Sequence, residues 1–77
     1  NPNSTTSLLD ILSPFKRLVE VGIGSRIDIA RLLSESRNVV ATDIYQCEIP
    51  QGIQFFLDDI CNPTLEIYYK ADIIYAL

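Results

Sequence analysis

The sequence predicts a three-layer α/β fold carrying a short parallel sheet in the strand order 3-2-1-4, and three features lead there. An apolar run over residues 18–21 enters a turn with two glycines, Gly22 and Gly24. An amphipathic stretch follows, and a second apolar run over residues 39–42 ends on Asp43, nineteen positions after Gly24. Two further apolar runs, residues 53–57 and 72–77, supply strands three and four. Strand, glycine turn, helix, strand and terminal carboxylate describe a βαβ unit suited to the adenosine half of a nucleotide-like ligand.

Taken in order, residues 1–7 are polar, contain Pro2 and read as a loose lead-in. Thr6 or Ser7 can cap a short helix through Leu8, Leu9, Ile11 and Leu12, which Pro14 stops. Residues 1–17 thus form a lead-in with one short helix, and residues 18–77 form a cofactor-binding half domain. The first strand is short and apolar, as a central parallel strand should be. Ser25 suits an N-cap for a helix reaching about Ser36. Ile27, Ala30 and Leu33 share its inner face, widened by Ile29 and Leu32. Asp28, Arg31 and Glu35 lie outside, and Arg31 can pair with Glu35 one turn on. Asn38 is a candidate left-handed stop before strand two.

Residues 44–52 hold Pro50 and Gly52, so a loop rather than a whole helix joins strands two and three. That connection is near the lower limit for a right-handed crossover, about ten residues. Asp58 and Asp59 close strand three, and residues 63–69 can form a short helix with Pro63 in its first turn. Residues 72–77 read as a buried fourth strand, and position 1 is not methionine. A fragment is therefore expected, its sheet incomplete at the C-terminus. The outer edge of strand four would be covered by further chain or by self-association.

Composition excludes several classes. A chain of 77 residues buries only about 60% of its unfolded surface, so its stability should be modest. Its 48% apolar content is nonetheless that of a globular domain rather than a disordered one. Ten Asp and Glu face six Lys and Arg, with no basic cluster, so direct nucleic-acid binding by this segment is not expected. No run is long enough for a membrane span, and no signal peptide is recognisable. Cys47 and Cys61 lack metal-ligand spacing and read as buried or half-buried free thiols in a reducing cytoplasm. With no histidine, neither a Ser/His/Asp nor a Cys/His nucleophile can be assembled, and no metal site is expected.

The chemistry-bearing residues cluster at the strand ends. The third glycine of a dinucleotide fingerprint is replaced here by Ile27, whose branched side chain argues against a tight pyrophosphate grip. Glu20, two residues before the first glycine, can attract a ligand ammonium; alternatively it faces solvent or pairs with Arg26 or Lys16. Asp43 can accept hydrogen bonds from two ribose hydroxyls, or can cap a loop. Asp58 and Asp59 point to opposite sides if the strand continues, so one faces solvent or caps the next turn. Asp59 suits an adenine amine, with Ile60 as an apolar wall for the ring. Arg26 could meet a ligand carboxylate, and Tyr68, Tyr69 and Tyr75 read as packing residues whose hydroxyls reach water. A glycine turn without any ligand is the plain alternative.

The Glu20-x-Gly22-x-Gly24 turn, Asp43 and Leu57-Asp58-Asp59-Ile60 resemble the first three cofactor motifs of class I S-adenosylmethionine-dependent methyltransferases. In this compressed arrangement, VEVGIG, ATDI, DDICNP and ADIIYAL are similar to a family of small, uncharacterised archaeal proteins with a reduced methyltransferase-like Rossmann fold. The likeness spans residues 18–77. It implies S-adenosylmethionine as cofactor, with Glu20, Gly22 and Gly24 at the methionine part, Asp43 at the ribose, and Asp59 and Ile60 at the adenine. It implies no substrate, and no catalytic base can be named. An adenine-nucleotide or NAD-binding regulatory module, and a non-catalytic fold acting in protein interaction, remain as alternatives.

Overall fold

A computed structural model describes residues 4–77 of the chain. Seven elements follow one another: α1 (Ser4–Leu12), β1 (Arg17–Val21), α2 (Asp28–Ser34), β2 (Asn38–Asp43), β3 (Gln54–Leu57), α3 (Ile67–Lys70) and β4 (Ile73–Ala76). The four strands form one parallel sheet in the order β3-β2-β1-β4, as expected. Among the described residues no helix is long and apolar enough to cross a membrane.

Strand alternation sorts the side chains onto two faces. One row runs Phe55, Ala41, Glu20, Tyr75 across the sheet, and the neighbouring row on that face includes Val39, Leu18 and Ile73. This face meets α1 and α2, and the core forms there from Leu12, Leu18, Ile23, Ile29, Ala30, Leu33, Val39, Ala41 and Ile53. The opposite face carries Gln54, Val40, Val19 and Ile74, then Phe56, Thr42, Val21 and Ala76. Among the described residues the single turn of α3 lies on this side, where Ile67 and Lys70 line a cleft with Val19 and Val40. Val19, Val40 and Thr42 are buried, but Phe56 and Ile74 keep 37% and 42% of their surface in solvent.

Several local expectations are corrected by tertiary contacts. The second helix opens at Asp28 behind an Ile27 cap with no side-chain bond, so Ser25 is not its N-cap. The reason is a separate tight turn, in which the Arg26 amide donates to the Ile23 carbonyl. Leu32 lies outward, 45% exposed, whereas Ile29 is buried. Asn38 opens β2 rather than stopping the helix in a left-handed conformation, and no described non-glycine residue has positive φ. The Arg31–Glu35 pair is not formed; Glu66 and Lys70 make an exposed ion pair instead, at 3.6 Å.

The third helix is shorter than expected because Asp58 holds the preceding segment in a loop. Its carboxylate accepts from the Thr64 hydroxyl at 2.7 Å and from the Tyr68 hydroxyl at 2.6 Å. Pro63 therefore lies before the helix rather than in it. Helix α1 begins at Ser4, so Thr6 and Ser7 are inside it, not at its cap; Pro2 lies outside the described residues. The loop expected between β2 and β3 is present. Both outer strands are half exposed rather than buried, since each pairs on one side only. Cys47 is half-buried, but Cys61 is exposed.

Candidate functional site

The turn after β1 is made by glycines because the backbone needs them, not because space is short. Gly22 and Gly24 have φ of 68° and 55°, and a Cβ on either would meet nothing within 4 Å. A side chain there is strained by conformation, while the space around a Cβ stays open. Between them Ile23 points inward and is fully buried. The amides of Gly22 and Ile23 both donate to the Thr42 carbonyl, at 2.8 and 3.2 Å, which ties the turn to the end of β2.

Asp43 completes that tie. Its Oδ2 accepts from the Gly24 amide at 2.9 Å and its Oδ1 from the Tyr45 amide at 3.0 Å. The Tyr45 amide above all, then the Gly24 and Ile44 amides and the Cys47 side chain, hold this carboxyl below its ordinary range against an opposing effect of burial. A carboxylate has about four acceptor sites, so these two amide bonds do not exhaust the capacity of Asp43. The neighbouring Cys47 thiol is pushed up, chiefly by burial and then by the Asp43 charge, and stays protonated at neutral pH.

Glu20 is the penultimate residue of β1 and is 1% exposed. Its Oε1 accepts from the Tyr75 hydroxyl at 2.9 Å. Burial raises its pKa above the ordinary value; the Tyr75 bond and the Arg26 charge oppose that rise. Arg26 itself is exposed beside the turn. The pairing with Tyr75 replaces the solvent-facing and Lys16-paired alternatives for Glu20. It also corrects the reading of Tyr75 and Tyr68, whose hydroxyls donate to carboxylates rather than simply reaching water.

The third segment is joined to the others only at its start. The Asp58 amide donates to the Asp43 carbonyl at 3.0 Å. Beyond it, Asp59 turns its Oδ1 back onto the Cys61 amide at 2.9 Å, and Ile60 is 43% exposed. Among the described residues no hydrogen bond joins Asp59 to Glu20, Asp43 or the glycines. The structure thus brings together Gly22, Gly24 and Asp43, turns the Glu20 side chain into the core against Tyr75, and leaves Asp59 and Ile60 on a loop. A separate cleft of about 230 Å³ opens at the other end of the sheet, lined by Arg17, Val19, Val40, Ile67 and Lys70.

The same glycine turn and Asp43 lie within a stretch matched by the model of an uncharacterised protein family, UPF0146, over residues 5–77. The chain belongs to that family. A UPF0146 protein of Halobacterium salinarum is 44% identical over 68 residues, which is 87% of this chain and 53% of that protein. One from Archaeoglobus fulgidus is 42% identical over 62 residues, 79% of this chain and 48% of its own length. One from Methanocaldococcus jannaschii is 35% identical over 66 residues, 80% of this chain and 48% of that protein. The chain therefore spans about half the length of these relatives. No solved structure matches it.

Two contributors to the site of this UPF0146 chain are not legible as such in the sequence. Tyr75 meets Glu20 only because β4 pairs with β1 in the register that sets position 75 against position 20. That register is fastened by Asp72, whose Oδ2 accepts from the amides of Lys16 and Arg17 at 3.1 and 3.0 Å. An apolar run with one acid before it is the only trace of this in the sequence. The glycine requirement, in contrast, is directly testable. Gly24→Ala should lower stability by about 1–2 kcal/mol through left-handed strain alone, read as a lower urea midpoint at unchanged slope. An unchanged midpoint would show that the turn tolerates another conformation.

Proposed function

We propose that this chain carries the cofactor site of an S-adenosylmethionine-binding, methyltransferase-like protein. The observation that carries the reading is the charge around the open glycine turn. The Gly24 amide is already committed to the Asp43 carboxylate at 2.9 Å, and Glu20 lies two residues before Gly22. A phosphate approaching this turn would meet the Asp43 carboxylate, with the Glu20 carboxylate buried behind it, and a helix whose first turn carries Asp28. A ligand with a diol and an ammonium meets two acceptors for the first and a carboxylate for the second. The arrangement thus favours adenosine linked to a methionine-like tail over NAD or ATP.

The residues fit such a group in their donors and acceptors. Asp43 would hold the ribose hydroxyls, Glu20 the ammonium, and Arg26 the tail carboxylate, with the glycine backbone leaving room between them. Asp59 and Ile60 are assigned to the adenine by position along the loop. S-adenosylmethionine supplies a transferable methyl group when bound; the protein's part would be to orient it against an acceptor. No group on this chain is placed as a base, and the acceptor is not assigned.

Titration with S-adenosylhomocysteine, NAD and ATP, followed by backbone amide shifts, tests the reading. Shifts confined to residues 20–26, 43–45 and 58–60 with the homocysteine compound are expected. Preference for NAD or ATP would instead make the chain a nucleotide-sensing module. Silence from all three at millimolar ligand, in a folded sample, would leave a scaffold acting through protein contacts.

A further inference from the structure

We propose that Ile74 and Ala76, on the sheet face that carries α3, are the seat of a helix from the other half of a full-length UPF0146 polypeptide. That helix belongs to a crossover which leaves β4 and returns as a fifth parallel strand along its outer edge. The inference goes beyond the ligand reading and does not depend on it.

The sequence of β4 is that of a strand covered on both faces. Ile73, Ile74, Tyr75 and Ala76 form a continuous apolar run, whereas a strand with one wet face alternates with polar residues. The chain covers one of those faces. Ile73 and Tyr75 are half-buried and pack against the core beneath α1 and α2. Ile74 and Ala76 point to the other side, where Ile74 is 42% exposed and Ala76 is exposed. On that side α3 packs over β1, whose Val19 pairs in register with Ile74 and is buried. The outer edge of β4 has no neighbouring strand among the described residues. An open parallel edge of this kind is ordinarily paired or covered.

Handedness decides how the missing cover arrives. Crossovers between parallel strands are right-handed in about 98% of cases. From β1 to β2 the sheet grows toward β3, with α2 on the core face. From β3 to β4 the chain runs back across the sheet, and α3 accordingly lies on the opposite face. Both crossovers obey the rule. A chain that continues past β4 in the same direction, to a new parallel strand at its free edge, must cross on the face of α3 again. The next helix is therefore placed over Ile74 and Ala76, and not beside α1 and α2.

The relatives have the length for such a crossover. Each is about twice as long as the stretch it shares with this chain. A parallel crossover, with its helix, needs only about a dozen residues or more. The helix that fits presents an apolar stripe to Ile74, Ala76 and the half-buried Val21.

The test reads cysteine labelling by a water-soluble maleimide, with the labelled site located by peptide mass. Ile74 and Leu32 form a matched pair, 42% and 45% exposed on opposite sides of the sheet. In the 77-residue chain at monomeric concentration, Ile74→Cys and Leu32→Cys should react at similar rates. In the full-length Archaeoglobus fulgidus relative, a cysteine aligned with Ile74 should react at least about tenfold more slowly than one aligned with Leu32, because a local opening must come first. Exchange of the β4 amides should slow there as well, as the edge gains a partner. A cysteine aligned with Ala76 repeats the comparison with a smaller change, should the Ile74 variant fail to fold.

Equal labelling at the two positions of the full-length protein overturns the proposal. Protection of Ile74→Cys in the monomeric 77-residue chain overturns it too, because the chain then covers its own face. Protection that fades on dilution together with a dimer, followed by sedimentation, assigns the face to a second copy and overturns it. A protected position 74 beside a β4 edge that exchanges as fast as in the 77-residue chain places a different segment there and overturns the crossover.

Discussion

Asp43→Ala is expected to weaken binding of an adenosine-bearing ligand roughly five- to 150-fold, equivalent to about 1–3 kcal/mol for lost bonds to a charged acceptor. The substitution removes the carboxylate proposed to meet the ribose and also the acceptor that holds the Gly24 and Tyr45 amides. The Gly24 amide resonance should therefore move even without ligand, which reports the loss of the turn's anchor independently of binding. Asp43→Asn should fall between, since one carbonyl oxygen survives while the charge is lost. Calorimetry with S-adenosylhomocysteine checks the affinity. Unchanged affinity in the alanine variant would remove the ribose role from Asp43 and leave it as a loop cap.

The pH dependence of the same titration separates the two carboxylates. Asp43 sits below its ordinary range because backbone amides bond its charged form, and Glu20 sits above because burial penalises its charge. On acidification Glu20 takes its proton first, so preference for the ammonium should disappear while adenosine affinity persists. Only at lower pH should Asp43 protonate and the remaining affinity fall. A single transition removing both together would contradict the assignment of separate roles to the two acids.

Much of this arrangement is legible in the order of the residues. The Gly22–Gly24 turn is readable because positive φ is a property of residue type, and the strand order follows from short connections and apolar runs. Asp43 can be placed beside the turn because the length of a βαβ unit sets where its second strand ends. What is not legible depends on partners distant in sequence. Glu20 and Tyr75 are 55 positions apart and meet only through the register of two strands. Ser25 carries the chemistry of an N-cap but is taken into a preceding turn by the Ile23 carbonyl. Residues 63–69 have helical character, yet Asp58 captures Thr64 and delays the helix to Ile67. Edge strands such as β3 and β4 have the same apolar content as buried ones, so composition alone overstates their burial. Local chemistry shows what a residue can do, and the fold decides which partner reaches it first.

Leu33→Ala should be among the most damaging single changes, at about 2–5 kcal/mol, the range for truncating a buried leucine. Leu33 is 1% exposed and lies in the cluster that joins α2 to Leu18 and Val39 of the sheet and to Leu12 of α1. Those neighbours belong to three different elements held by short connections, which limits how far they can close over the vacated space. A domain of this size is stable by only about 4–12 kcal/mol, so the loss removes a large share of the total. At roughly 4–8 °C per kcal/mol, the thermal midpoint should fall by at least about 8 °C. Leu32→Ala, one residue earlier in the same helix, supplies the control. Leu32 is 45% exposed, and its truncation should cost about 0.5 kcal/mol or less. Paired urea and thermal unfolding of the two variants decides the matter. Similar losses at both positions would mean that α2 is rotated from the face described, and with it the glycine turn that leads into it.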